Sequence, residues 1–295
     1  GGSHQWVEMN GEKIGPYSAV AVHSVVFSPV GGHLAFPAQE DSSWFVVRDG
    51  QEGPRWDGIG PLSFSADGRQ LAYAALRGED WYVLRDSTIE GPVDSLLSDS
   101  LMFSPGGDRL AYGAWTDSNL RVVVDDRPGR PLLGVASMFF DHAGNLFYVA
   151  HDRFGMVFVG NEVVLGRHAA IAWPTVSREG GRWAYAASDG GPWFAVENGE
   201  FDPPYPQVRD LAFEPGYGRF AYVAGDDTEE ILIVDGRAGR SWKKLVESVF
   251  NSEGGHLGYI ARTDTMAVVV IDGNAVGVHE EADDLIFNGR GDRYA

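Results

Sequence analysis

The chain has 295 residues, of which 44% are apolar and 12% aromatic, and it carries a formal net charge of −19. That charge excludes the basic footprint that non-specific nucleic-acid binding needs and disfavours an anionic membrane surface. The absence of cysteine rules out disulfides and thiolate metal sites, and no apolar run approaches the roughly eighteen residues of a membrane span.

Gly1 to His4 read as an expression leader and are set aside. From residue 5 onward the sequence reads as a single domain of recurring short strands, because its 39 glycines and 15 prolines are spread evenly and not gathered in a linker. The first element is Trp6-Val7-Glu8-Met9, followed by a turn at Asn10-Gly11. A second kind of element follows at Phe27-Ser28-Pro29-Val30-Gly31-Gly32-His33-Leu34-Ala35-Phe36 and returns at Phe64 to Tyr73 and Phe103 to Tyr112. Weaker copies lead into Tyr148, Tyr185, Tyr222 and Tyr259, and the last begins at Phe287. The period is about 37 residues, and a register held over eight copies marks a repeat architecture. Between these copies lies an apolar run ending in a turn: Trp44 to Asp49-Gly50, Trp81 to Asp86, and further runs near Leu120, Met156, Trp193, Ile231 and Val268. Val, Phe, Tyr and Trp favour strands, and Asp49-Gly50, Asn198-Gly199, Asp235-Gly236 and Asp272-Gly273 are hairpin signals.

Each repeat therefore predicts four strands, here called a to d: a ends at the Phe-Ser lead, b carries Leu-Ala-Tyr, c the Trp/Val run, and d follows the Asp-Gly turn. Four-stranded antiparallel sheets repeated in this way are the blades of a propeller. The expected fold is all-β, an eight-bladed β-propeller over residues 5–295 with leads at 27, 64, 103, 139, 176, 213, 250 and 287. The chain enters at strand c (Trp6) and leaves in strand b (Tyr294), so a composite blade from Trp6–Tyr17 and Asp283–Ala295 is expected to close it. Seven blades is the alternative, and it would leave two exposed edges.

The Phe-Ser-Pro/Ala-Asp/Gly-Gly-x-x-Leu-Ala-Tyr element with its aromatic strand and Asp-Gly turn resembles the WD40-like repeat of TolB-type bacterial propellers, over essentially the whole chain. The resemblance implies a bacterial, often periplasmic or extracellular, protein-binding platform. It implies no particular partner.

No catalytic motif survives inspection. His279-Glu280-Glu281 lacks the second histidine of a zinc-protease helix, and nucleophile-elbow, phosphate-loop and EF-hand patterns are absent. Arg290-Gly291-Asp292 matches an adhesion tripeptide but falls on the a–b turn of the last repeat, where a structural role is expected. His33, His142 and His256 fall on a–b turns. His23, His168 and His279 fall on d–a connections, where a metal pair is the alternative to ordinary hydrogen-bonded histidine. No cofactor is expected, with a divalent cation as the alternative.

Charge gives the best functional hint. The b–c connections carry Glu40, Asp41, Glu79, Asp80, Asp117, Asp152, Asp189, Asp226, Asp227, Glu229, Glu230 and Asp264 against Arg77, Arg153 and Arg262, and Glu280 to Asp284 add further acids. The leading expectation is a monomeric, non-enzymatic scaffold that binds a protein or peptide, with a basic partner indicated by this face. Asp226, Asp227, Glu229 and Glu230 are its candidate contacts. Trp56, Trp115 and Trp173 join them as exposed anchors because they break the repeat pattern, whereas Trp44, Trp81 and Trp193 sit at a repeated strand position and read as core. A ligand- or metal-binding propeller, with an enzymatic site at a channel mouth, is the second reading. A spacer or regulatory domain of a larger bacterial protein is the third.

Overall fold

The structure is a computed structural model that describes residues 4–216, 218–288 and 290–295; Gly1 to Ser3 of the leader lie outside the described residues. The chain groups into two compact units. The first holds Gly1–Phe140 with Gly144–Leu146, and the second Asp141–Ala143 with Phe147–Ala295.

The first unit opens on the hairpin Gln5–Met9 and Glu12–Tyr17. Three complete sheets follow, each antiparallel with a to d in chain order. Their b and c strands are Leu34–Glu40 and Ser43–Arg48, Leu71–Arg77 and Asp80–Arg85, and Leu110–Thr116 and Asn119–Val124. The unit ends with strand a of the fourth repeat, Gly134–Phe140, one residue beyond the expected lead at 139. From Phe147 onward the later strands of that repeat, Leu146–Asp152, Gly155–Gly160 and Val163–His168, belong to the second unit. Three further complete sheets span Ala170–Phe201, Gln207–Trp242 and Lys244–His279. A last pair of segments is joined by Ile286 and Ala295, which exchange backbone hydrogen bonds of 3.0 Å. The chain is therefore an all-β protein of the eight-bladed β-propeller class. Besides the seven complete sheets, the N-terminus supplies a two-stranded hairpin in the first unit and the C-terminus a short bridged pair in the second.

The repeat encodes more than strands. The b strands are buried on both faces, and Tyr112, Tyr148, Tyr185 and Tyr222 at one repeated position are among the largest fully buried side chains. Asp49, Asp86, Asp125, Asn198, Asp235 and Asp272 occupy the c–d turns with φ of 49–50°. Each also accepts the backbone N–H that opens its own b strand, at 2.9–3.2 Å. In several repeats the residue after the lead is a buried polar group: Ser28, Ser65, Ser104 and Asn251 accept the N–H of His33, Gln70, Arg109 and His256. One side chain thereby satisfies a donor that burial would leave unpaired, which is why polar residues persist there. Glycine is required where one turn stacks on the next. A Cβ on Gly68 (φ 72°) would stand 2.0 Å from the Val30 carbonyl oxygen, and one on Gly291 (φ 77°) 2.5 Å from the His256 ring. That second contact gives Arg290-Gly291-Asp292 the structural role expected from its position.

The a strands are the irregular ones. In the first repeat a short 3-10 turn at Val22–Ser24 interrupts the strand. Four others carry a bulge, at Ile59/Leu62, Ala172/Thr175, Arg209/Ala212 and Leu245/Glu247. Pro61 and Pro174 lie inside two of them and have no N–H to give the ladder, so the register must slip.

Candidate functional site

The acidic residues singled out in the sequence are clearest in the second unit, on the b–c turns of its complete sheets. Each of these turns is clipped by the residue where the preceding strand d meets strand a. His168 Nδ1 lies 3.1 Å from Asp189 Oδ2, and the Ala169 N–H donates to Asp189 Oδ1 at 3.0 Å. Gln207 donates to Asp227 at 2.8 Å, and Lys243 pairs with Asp264. The first unit repeats the device with reversed polarity, the Asp57 and Asp94 carboxylates accepting the N–H of Gly78 and Ser118.

This recurrence decides how the most enzyme-like group is read. Tyr185, His168 and Asp189 form a chain, with the Tyr185 hydroxyl 3.4 Å from His168 Nε2. Hydrogen bonds from the His168 ring, then from the Ala169 N–H, hold the Asp189 carboxyl below its ordinary range. Burial, reinforced by the Asp189 charge, pushes the Tyr185 hydroxyl up to about 12. A nucleophile needs the opposite shift. Moreover, a Cβ on Gly166 would stand 1.8 Å from that hydroxyl, so strand d seals it from above. Asp-Gln and Asp-Lys pairs take the same place one and two repeats later. The group is a clip between neighbouring sheets.

In the sixth repeat the four acids named in the sequence divide by position. Asp226, Asp227 and Glu229 are exposed. Asp226 Oδ1 caps its own turn through the Thr228 hydroxyl and N–H and the Glu229 N–H, at 2.6–3.0 Å. Those bonds, the hydroxyl first, hold its carboxyl low. Glu229 accepts from the Ser241 hydroxyl at 2.8 Å. Glu230 is 2% exposed. It accepts from the Leu245 N–H at 2.6 Å, Arg209 at 2.8 Å and Lys244 at 2.9 Å, which ties the sixth sheet to the seventh and removes it from the contact surface. Burial would raise its carboxyl, but the Leu245 N–H and the two cations outweigh burial and hold it below 4.5. A depressed carboxyl stabilises fully above its unfolded value and loses that contribution as pH falls through the folded value. We therefore expect the urea midpoint of the wild type to fall as pH drops below about 5, with a flatter profile for Glu230→Gln. Parallel profiles for the two proteins would contradict this assignment.

The three tryptophans also divide. Trp56 is 3% exposed and packs with Ala35, Val46 and Tyr73 in the first unit, under the Arg77 guanidinium at 4.2 Å. It is core, contrary to the sequence expectation. Its backbone bridges to Trp44 as Leu132 does to Leu120 and Tyr205 to Trp193, so it occupies a repeated place in strand d. Trp115 is 37% exposed at the end of a b strand in the first unit, and Trp173 is 49% exposed in the second. Trp173 sits on the Ala172/Thr175 bulge with φ of 52°, and Asp210 takes the same bulge position in the next a strand with φ of 55°. A bulky residue in the left-handed region is held there by its surroundings, and the bulge aims the indole outward. The strands Ala170–Val176 and Gln207–Phe213 lie side by side. Trp173 is thus one strand from Arg209, which holds Glu230 next to the exposed Glu229.

Among the described residues no group of three or more His, Asp or Glu side chains is placed to hold a metal ion, and no helix is long and apolar enough to cross a membrane. His23 and His279 are exposed, in the first and second unit respectively. Two clefts lie between neighbouring sheets. One, of about 570 Å³, is lined by Leu232, Val234, Asp235, Leu257, Tyr259 and Asp272 among others. The other, of about 420 Å³, is lined by their repeat counterparts Val46, Arg48, Asp49, Leu71, Tyr73 and Asp86. A groove that recurs residue for residue follows from the packing of sheets. One feature beside the first cleft, which Arg237 lines, escaped the sequence reading: Arg237, Arg240, Lys243 and Lys244 stand within eight residues of a strongly acidic chain. That local reversal of sign was the available signal.

No family model matches the chain, and no curated protein is similar to it. Among solved structures the chain is similar to a eukaryotic initiation factor, with 11% identity, 89% of this chain and 78% of that chain covered, and a TM-score of 0.48. It is also similar to the Dos1 propeller, with 8% identity, 90% and 86% coverage, and a TM-score of 0.44. A third is Kluyveromyces lactis Hsv2, with 12% identity, 92% and 95% coverage, and a TM-score of 0.36.

Proposed function

We propose that this chain is a non-enzymatic scaffold whose second unit docks a basic peptide segment of a partner protein. The observation that carries this reading is the half-exposed Trp173, fixed outward on a left-handed bulge beside the sheet whose b–c turn presents Asp226, Asp227 and Glu229. An indole face attracts Lys or Arg, and the exposed carboxylates complement the remaining charge of such a segment. The clip at His168 and Asp189 supports a binding role over a catalytic one, since it recurs with residues that cannot do acid–base work in the same way. We place the chain with the TolB-type bacterial propellers on the strength of its lead element, which resembles theirs.

The test is calorimetric titration of a short Lys/Arg-rich peptide. Asp227→Lys with Glu229→Lys, and separately Trp173→Ala, are each expected to weaken binding by about tenfold or more, a loss of about 1.4 kcal/mol. Reversal of Glu79 and Asp80 in the first unit is the control for diffuse charge and is expected to change little. Equal losses from both reversals would overturn the reading.

A further inference from the structure

We propose that the outer strand of the sixth sheet, Arg237–Trp242, is a second docking edge, which accepts an acidic peptide as an added β-strand. Its far end touches the acidic turn through the Ser241 hydroxyl on Glu229, but Arg237 and Arg240 take no part in that contact, so separate variants test this proposal and the basic-peptide reading.

Strand d is the outermost strand of each sheet, and its outer side has unpaired backbone groups. Most outer edges here are blunted. In the first, third and fifth repeats strand d is only two residues long. Glu12–Tyr17 and Thr88–Val93 carry Pro16 and Pro92, which remove a donor. Val163–His168 is half-buried along most of its length. Arg237–Trp242 runs for six residues, contains no proline and is exposed at all but Trp242. Asn274–His279 is similarly open but bears no acid, Lys or Arg.

Charge then selects the occupant. Lys243 and Lys244 are committed to Asp264 and Glu230, whereas Arg237 and Arg240 have no carboxylate partner among the described residues. Arg240 lies over the Trp242 ring at 4.2 Å, which holds its guanidinium against the sheet. Two unpaired arginines three residues apart on an open edge, in a chain of net charge −19, form a local attraction for carboxylates. Asp235 and Asp272 line the same cleft, but each already accepts a backbone N–H, from Phe220 and Leu257. The cleft behind the strand adds side-chain selectivity. Ala238 and Gly239 form one wall and Leu257 and Tyr259 another, enclosing about 570 Å³. A strand added to an edge gains affinity from its main chain and specificity from alternate side chains entering pockets. The sequence it would take carries acidic residues at alternate positions, on the face that Arg237 and Arg240 share with the cleft residues Leu232 and Val234, and apolar residues between them on the opposite face.

Fluorescence anisotropy with a short labelled peptide alternating Glu with Val tests the proposal. Saturable binding is expected. It should weaken at least tenfold in the Arg237→Glu/Arg240→Glu variant, and similarly when proline replaces the central residues of the peptide. The Asp227→Lys/Glu229→Lys variant should bind this peptide no less tightly than wild type. The arginine variant's thermal midpoint, which these exposed positions should leave nearly unchanged, reports that it is folded. No saturable binding to wild type, or unchanged affinity in the arginine variant, would overturn the proposal. Equal binding of the proline peptide would also overturn it, because charge alone would then suffice.

Discussion

Replacing Arg219 with Met is expected to destabilise the second unit by about 3–5 kcal/mol. Glu214 takes the place held by serine in several other repeats, immediately after the lead at Phe213, and is 0% exposed. Its carboxylate receives both arms of Arg219, each at 2.6 Å, and the N–H of Gly255 in the next repeat at 2.6 Å. Burial favours the neutral acid, yet the Arg219 fork and the Gly255 N–H hold the carboxyl below its ordinary range. Removing the fork leaves a buried charge held by backbone donors alone, a far costlier state than the pair or its complete replacement. The repeat supplies the rescue. Ser65, Ser104 and Ser177 do the same turn-closing work without a cation, so Glu214→Ser with Arg219→Met is expected to recover most of the loss. Urea unfolding followed by tryptophan fluorescence measures both variants. Equal stability of the single and double variants would show that the carboxylate does not depend on its arginine.

Leu285→Ala is expected to cost about 2–5 kcal/mol, and removal of residues 283–295 more. Leu285 is 4% exposed and packs with Ile260, Ala267 and Val269 of the seventh sheet. Its N–H donates to Glu247 Oε2 at 2.7 Å. A Cβ on Gly258 would meet both Leu285 and Phe287, so the b strand of the seventh repeat has given up a side chain to admit this segment. The smaller residue leaves a cavity against a strand that cannot collapse onto it. An unchanged thermal midpoint for either variant would mean that the C-terminal segment is not part of this core.

The repeat was legible because its chemistry is local. Leads such as Phe64 and Phe103, turns such as Asp235-Gly236, and the buried tyrosines lie within one period of each other and keep their spacing. What escaped the sequence depends on neighbours one repeat away. Glu230 looks like the last of an exposed acidic run, yet Arg209 and Lys244 approach it from strands on either side in the chain. Trp56 seems irregular against the leads but is regular against Trp44, whose spacing to it recurs in Leu120 and Leu132. The bulges at Trp173 and Asp210 insert backbone slips that apolar periodicity does not record. Asp226, Asp227 and Glu229 are exposed because a turn between two apolar strands has nowhere to point but outward, whereas Trp173 is exposed because its strand bulges.

The most direct test of a docking function on the second unit is hydrogen exchange measured with and without a saturating Lys/Arg-rich peptide. Slowed exchange is expected in the segments carrying Trp173 and the Asp226–Glu230 turn, with Arg237–Trp242 unaffected by this peptide. Slowing confined to the first unit, or no slowing anywhere at saturation, would contradict the account.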